Sequence, residues 1–239
     1  FDNDFSDVLF HSSGASYLYQ PGKEAVMIAE KSVALVCSPD IANHTNNTLY
    51  SMDTVVMSYG ISSFKDKFYT DGEGTLYHVG KKFQTKMIDT GVSVGLVSDN
   101  GKKVYYLKGG ALTSSTAKGK ITVIAEQVDQ FRMTGDSRYI YYTDEMGILW
   151  GKHGRLKAKK IAENVITIQQ SGRDYLFYTV LNQDVQSLYG LKDLSAPKLL
   201  SEHLGEVFAF AGSAYYLEDG VRYFSNGNLK FKKFDAETK

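Results

Sequence analysis

Apolar and polar residues alternate along this chain in short runs, and each run is closed by Gly, Asp, Asn or Ser. Residues 139 to 174 show the pattern best. Tyr139-Ile140-Tyr141-Tyr142-Thr143 is a β-rich run ended by the turn residues Asp144-Glu145-Met146-Gly147. Ile148-Leu149-Trp150 follows and is stopped by Gly151 to Gly154, Ala158 to Ala162 is a third run, and Asn164 turns the chain into Val165-Ile166-Thr167-Ile168-Gln169. Four short strands with turn signals between them predict an antiparallel meander, with one face drier than the other. A helix is excluded here, because Gly and β-branched residues interrupt every 3.6-residue period.

The meander recurs. Tyr69, Tyr106, Tyr142, Tyr178 and Tyr216 sit in versions of one motif, 36 to 38 residues apart. A second recurrent step reads Ile88-Asp89-Thr90-Gly91-Val92, Ile124-Ala125-Glu126-Gln127-Val128, Ile161-Ala162-Glu163-Asn164-Val165 and Leu200-Ser201-Glu202-His203-Leu204. A fixed period of this size in strand-forming residues marks a repeat architecture. One four-stranded unit cannot bury both faces, and stacking units around an axis does so. The expected fold is therefore all-β: a β-propeller of four-stranded antiparallel blades, six in number, with seven as the alternative.

The expected layout is one domain over residues 1–239. Regular blades cover 67–102, 103–138, 139–174 and 175–213, and an irregular or inserted blade lies within 8–66. A closing blade joins 214–239 to residues 1–7, so that the N-terminal strand completes the last sheet and removes an open edge. The polar stretch Ser38 to Thr48 reads as a loop.

Composition narrows the function classes. Lys+Arg and Asp+Glu are both 27, so net charge is zero and no long-range field draws nucleic acid or an anionic membrane surface. Hydrophobic residues make up 43% of the chain, enough for a large core. Cys37 is the only cysteine, so packing rather than an intrachain disulfide must hold the fold, and its apolar neighbour Val36 suits a core thiol better than a nucleophile.

Sites that carry chemistry are weakly marked. Asp71 and Asp144, with Gly74 and Gly147, resemble an Asp-box turn with one extra residue, and the simpler reading is an Asp bonding its own hairpin. Five arginines, Arg132, Arg138, Arg155, Arg173 and Arg222, could supply a carboxylate clamp or lie scattered on the surface. His11, His44, His78, His153 and His203 lack metal-ligand spacing. There is no Gly-x-Ser-x-Gly elbow, and Gly72-Glu73-Gly74 and Gly109-Gly110 lack the Lys-Ser/Thr of a phosphate loop. Lys157-Ala158-Lys159-Lys160 reads as a charged edge that discourages sheet pairing. Asn43-His44-Thr45 and Asn46-Asn47-Thr48 fit the glycosylation pattern, which matters only in a eukaryotic secretory setting. Trp150 and the many tyrosines could grip a sugar or peptide, or pack blade against blade. No residue is assigned to catalysis, to a cofactor or to a metal.

The run Tyr141-Tyr142-Thr143-Asp144, then Gly147, Leu149-Trp150, Lys159-Lys160-Ile161-Ala162-Glu163-Asn164-Val165 and Ser171-Gly172-Arg173-Asp174 resembles the repeats of bacterial TolB-like extracytoplasmic six-bladed propellers. The resemblance covers residues 67 to 239 well and 1 to 66 poorly. It implies an exported domain, held at the cell surface or in the periplasm by a segment outside this sequence.

The function expected is a non-catalytic binding or scaffolding module for a protein, peptide or glycan, with no nucleic-acid partner and no direct membrane insertion. Contacts are expected at 38–48, 71–74, 144–147 and 181–186. The alternative is a glycan-active hydrolase or lyase, which would need two acids, or a Tyr or His with an Arg, meeting at the channel mouth.

Overall fold

The computed structural model describes residues 8–12, 15–19, 22–29, 36–39, 47–50, 55–57, 67–70, 73–79, 85–98, 102–134, 137–171, 175–210, 213–225 and 228–234. Every regular element among them is a β-strand. The chain divides into two compact units, Phe1–Asp40 with His44–Glu126, and Ile41–Asn43 with Gln127–Lys239.

In the first unit, β1 (Val8–Ser12), β2 (Ala15–Tyr19) and β3 (Val26–Ala29) form a three-stranded sheet. β4 (Val36–Pro39), β5 (Asn47–Tyr50) and β6 (Val55–Met57) form a second, and β7 (Lys67–Thr70), β8 (Leu76–Val79) and β9 (Thr85–Asp89) a third. β10 (Val92–Val97), β11 (Lys103–Lys108), β12 (Ala111–Thr116) and β13 (Ile121–Ala125) make a four-stranded sheet. The second unit holds three four-stranded sheets. They are β14 (Val128–Met133) to β17 (Lys159–Ala162) through β15 (Tyr139–Asp144) and β16 (Leu149–His153); β18 (Val165–Ser171) to β21 (Lys198–Ser201) through β19 (Tyr175–Asn182) and β20 (Val185–Lys192); and β22 (Leu204–Phe210) to β25 (Lys232–Lys233) through β23 (Ser213–Glu218) and β24 (Val221–Ser225). All pairings are antiparallel, with strands in chain order. Residues 8–66 thus carry two sheets among their described residues, and residues 1–7, expected to close the last sheet, lie outside the described residues.

The grouping differs from the expected one by a strand. Val92–Val97 pairs with Lys103–Lys108 and opens a sheet, where it was expected to end the blade 67–102. The same shift moves 128–133, 165–171 and 204–210 into the sheets that follow them. The last sheet accordingly has four strands among the described residues. Turn geometry explains the shift. Within sheets, Gly109-Gly110, Gln183-Asp184 and Asp219-Gly220 have positive φ at both residues (54° and 76°, 47° and 66°, 47° and 79°). That is the type I′ turn whose twist suits a tight hairpin. At three of the four recurrent steps only the second residue is left-handed, Gly91 at 70°, Gln127 at 55° and Asn164 at 55°, and at the fourth, Glu202-His203, neither is. This bend does not fold the strand back on its own sheet. The amide of Val92 then donates to Gly74 O at 2.9 Å and that of Val165 to Gly147 O at 2.9 Å, so each new sheet is tied to the first hairpin of the one before.

The recurring aromatics fill the space between sheets. Tyr106, Tyr142, Tyr178 and Tyr216 are buried. In the first unit Tyr106 lies in one apolar cluster with Phe68, Leu76, Val92 and Val104. In the second, Tyr141, Leu149, Ile168 and Tyr178 share a cluster, and Phe177, Leu188 and Tyr216 another. Full burial of such a side chain contributes about 1.5–3 kcal/mol. Gly151, expected to stop a strand, lies inside β16 and is buried, because the side chain of Leu194 from the neighbouring sheet occupies the place of its missing Cβ. Gly190 receives Leu229 in the same way.

Candidate functional site

Each position named from sequence has a definite place. Asp144 is consumed by its own hairpin. Its Oδ1 accepts the amides of Met146 at 3.1 Å and Ile148 at 2.9 Å, and its Oδ2 accepts the indole N–H of Trp150 at 2.9 Å. Burial alone would raise this carboxyl, but these bonds outweigh it and hold it below the usual carboxylate range. Trp150 is half-buried and fixed by that bond rather than free to stack. Asp71 lies outside the described residues.

The described arginines do not converge. The guanidinium of Arg132 donates to the adjacent Phe131 carbonyl at 2.8 Å, that of Arg138 sits 6.0 Å from the Tyr139 ring centroid, and Arg155 is exposed between β16 and β17. Arg222, on β24, reaches a cavity; Arg173 lies outside the described residues. The histidines do not converge either. His78 is buried against Phe68 with centroids 5.2 Å apart, His153 stacks on Tyr139 at 4.7 Å, and His203 is exposed. His11 falls on β1 and Cys37 on β4. His44, Asn43 and Asn46 lie outside the described residues. Among the described residues no group of three or more His, Cys, Asp or Glu is placed to hold a metal ion. Of the basic run, Lys159 donates to Leu194 O at 3.1 Å and Lys160 pairs with Glu163. No helix among the described residues is long and apolar enough to cross a membrane.

A second polar cluster, unmarked in the sequence, joins two sheets of the first unit. The Tyr106 hydroxyl donates to Asp89 Oδ2 at 2.8 Å, Lys108 pairs with the same carboxylate, and the Thr90 amide donates to Asp89 Oδ1 at 2.9 Å. Burial raises the Asp89 carboxyl, and these partners together bring it below its ordinary value. Asp89 and Asp144, the carboxylates held below their ordinary range among the described residues, are therefore both engaged in structural bonds.

A cavity lies on the last sheet. It has a volume of about 420 Å³ and is lined by Glu206, Tyr215, Arg222, Tyr223, Phe224 and Phe234. Pleating places Glu206, Tyr215, Arg222 and Phe224 on one face, while Tyr223 belongs to the row of Val207 and Tyr216 on the other. Phe208, Tyr215 and Phe224 are cross-strand partners across β22, β23 and β24, and Glu206, Leu217 and Arg222 form the next row. The Phe234 amide donates to Arg222 O at 2.8 Å, which brings the Phe234 ring to that row. Phe208 is 51% exposed, Phe224 44% and Phe234 60%. On the two preceding sheets the residues equivalent to Tyr215, Tyr141 and Phe177, are each 1% exposed, and Gly151 and Gly190 stand at the position of Phe224. The Tyr215 hydroxyl donates to Glu206 Oε1 at 2.8 Å, and that bond, followed by burial, pushes the phenol above its ordinary range. The Arg222 guanidinium forms no hydrogen bond or ion pair among the described residues. A volume of this size lies within the range of small-ligand sites. Sequence reasoning missed the cavity because its members come from three strands and the residue that follows β25, and share no spacing.

No family model matches the sequence, and no curated protein matches it. Solved structures do. An oligogalacturonate lyase from Vibrio parahaemolyticus is similar with a TM-score of 0.56 at 12% identity, over 98% of this chain and 75% of its own. The tricorn protease gives 0.54 at 12% identity, over 95% of this chain and 34% of its own. The β-propeller domain of Cps50 (Swd1) from Myceliophteria thermophila gives 0.50 at 8% identity, over 95% and 96%. At such identities the likeness shows the fold alone, and that fold is the β-propeller.

Proposed function

We propose that this chain is a non-catalytic binding module, the extracytoplasmic part of a bacterial surface or envelope protein, whose ligand seats in the aromatic cavity of β22–β25. The observation that carries the reading is the exposure of Phe224 and Phe234 around an uncommitted Arg222. Apolar rings left in water at the wall of a cavity mark an interaction site more often than scattered surface apolars do. The location rests on the resemblance of residues 141–174 to TolB-like repeats.

A glycan-active hydrolase or lyase is the second reading, because Tyr215, Glu206 and Arg222 are the residue types it calls for. The Tyr215 phenol, however, is a bound hydrogen-bond donor with a raised pKa, the wrong direction for a nucleophile or base. The test is a mixed array of glycans and peptides probed with the wild-type chain, Phe224→Ala and Phe234→Ala. Binding that both variants lose while their unfolding transitions stay intact supports the module; full retention of binding by both variants overturns the site. Steady release of product from any bound glycan would favour the enzyme.

A further inference from the structure

We propose that the cavity on β22–β25 is selective for an acidic oligosaccharide, one that carries a carboxylate and hydroxyls on the same ring. This inference rests on the binding-module reading and names its ligand class.

Two groups in one cross-strand row of the cavity wall, Arg222 on β24 and Glu206 on β22, make opposite demands. Arg222 offers a planar fork of donors that matches a carboxylate bidentately. Glu206, in the same wall, offers two carboxylate oxygens, only one of which is engaged by Tyr215. A ligand made of carboxylates alone would pair with Arg222 and be repelled by Glu206. A ligand made of hydroxyls alone would satisfy Glu206 and leave the guanidinium unused. A sugar acid meets both, since its carboxylate pairs with Arg222 while ring hydroxyls donate to Glu206. The exposed faces of Phe224 and Phe234 cover its apolar ring face. Lys232, exposed and directly across from Phe224, adds a second cation at the rim for the next acidic residue of the chain. An acidic peptide fits less well, because it supplies repeated charges without the hydroxyl donors that Glu206 calls for.

The probes are a short oligogalacturonate, its fully methyl-esterified form, and poly-glutamate as an acidic polypeptide, each titrated calorimetrically at low and high salt. The expected result is binding of the free acid, weakened by salt, with the ester and poly-glutamate much weaker. Arg222→Gln should lower affinity for the acid roughly tenfold to a hundredfold, the range for loss of a charge-assisted bond. Arg222→Lys should recover only part of it, because the fork is gone. Equal binding of acid and ester, or an unchanged affinity in Arg222→Gln, overturns the proposal. Preferential binding of poly-glutamate overturns the glycan assignment but leaves the binding module standing. If no probe binds and Phe234→Ala instead lowers the unfolding midpoint markedly, the face is a packing surface, and both readings fall.

Discussion

Trp150 and Asp144 face each other across the hairpin of β15 and β16, with the indole N–H 2.9 Å from the carboxylate. The same carboxylate accepts two backbone amides of the turn. One side chain thus closes the hairpin end that also holds Gly147, whose carbonyl receives the first amide of the next sheet. Replacing Asp144 by Ala should cost about 1–3 kcal/mol, since a partly exposed acceptor of three bonds is removed. Denaturant unfolding read by the fluorescence of Trp150, the only tryptophan, measures this directly. A loss below the error of the extrapolation would show that water replaces the carboxylate fully.

The lowered carboxyls of Asp89 and Asp144 set an acid dependence. A group whose folded pKa is depressed stabilises the fold above its unfolded value, about 3.9 for Asp, and loses that contribution as pH falls through the folded value. Stability should therefore decline below about pH 4, and Asp89→Asn with Asp144→Asn should flatten the decline. Urea midpoints across that range provide the check, and an unchanged slope in the double variant would contradict the assignment.

The tyrosines give the opposite limb. Burial comes first among the causes that raise Tyr106, Tyr142, Tyr178 and Tyr216, the last to about 12. A raised acid holds its proton in the fold after the unfolded chain has lost it. Stability is therefore full below the ordinary Tyr value, about 10, and falls as pH rises beyond it. Phenolate absorbance should show a late-titrating group of tyrosines that becomes accessible only on unfolding. Tyr106→Phe should narrow that group and lose about 1 kcal/mol from its bond to Asp89.

What was legible in the sequence was whatever the chain decides locally. The alternation of Tyr139 to Thr143 announced a strand, and Asp144 with Gly147 announced its turn, because both depend on residues a few positions apart. The strand grouping was not legible. Asn164 and Gln127 look like any turn residue, and only the sign of φ at the residue before each separates a hairpin from a passage between sheets. Gly151 looked like a terminator because the side chain that needs its missing Cβ, Leu194, is on another sheet. The cavity was hidden for the same reason: Glu206, Tyr215, Arg222 and Phe234 meet through register, which no spacing encodes.

The type I′ turn at Gln183-Asp184 can be improved. Both residues hold positive φ, at 47° and 66°, with side chains that disfavour it. Asn-Gly is the preferred pair for this geometry. The double replacement Gln183→Asn with Asp184→Gly should raise stability by about 0.5–2 kcal/mol. A shift of the denaturant midpoint upward at unchanged slope would register it, and a downward shift would mean that the Asp184 side chain holds the loop.

Gly151 and Gly190 make the strongest claim about packing in the second unit. A Cβ on Gly151 would come within 2.4 Å of Leu194 Cδ2 and 2.7 Å of Ile161 Cδ1; on Gly190 it would come within 2.4 Å of Leu229 Cδ2 and 3.0 Å of Leu200 Cδ1. Neither glycine is needed for a positive φ, so the conflict is steric. Gly151→Ala should cost about 1–3 kcal/mol, the usual range for overpacking. The displaced atoms are ends of leucine and isoleucine side chains, which can give way in part, so the lower half of that range is expected. Combining Gly151→Ala with Leu194→Ala should cost less than the sum of the single changes, because the new methyl fills space the leucine has left. A double-mutant cycle measures that coupling. Strict additivity would mean that Leu194 does not sit over Gly151 in solution, and the sheet-to-sheet packing described for this unit would have to be redrawn.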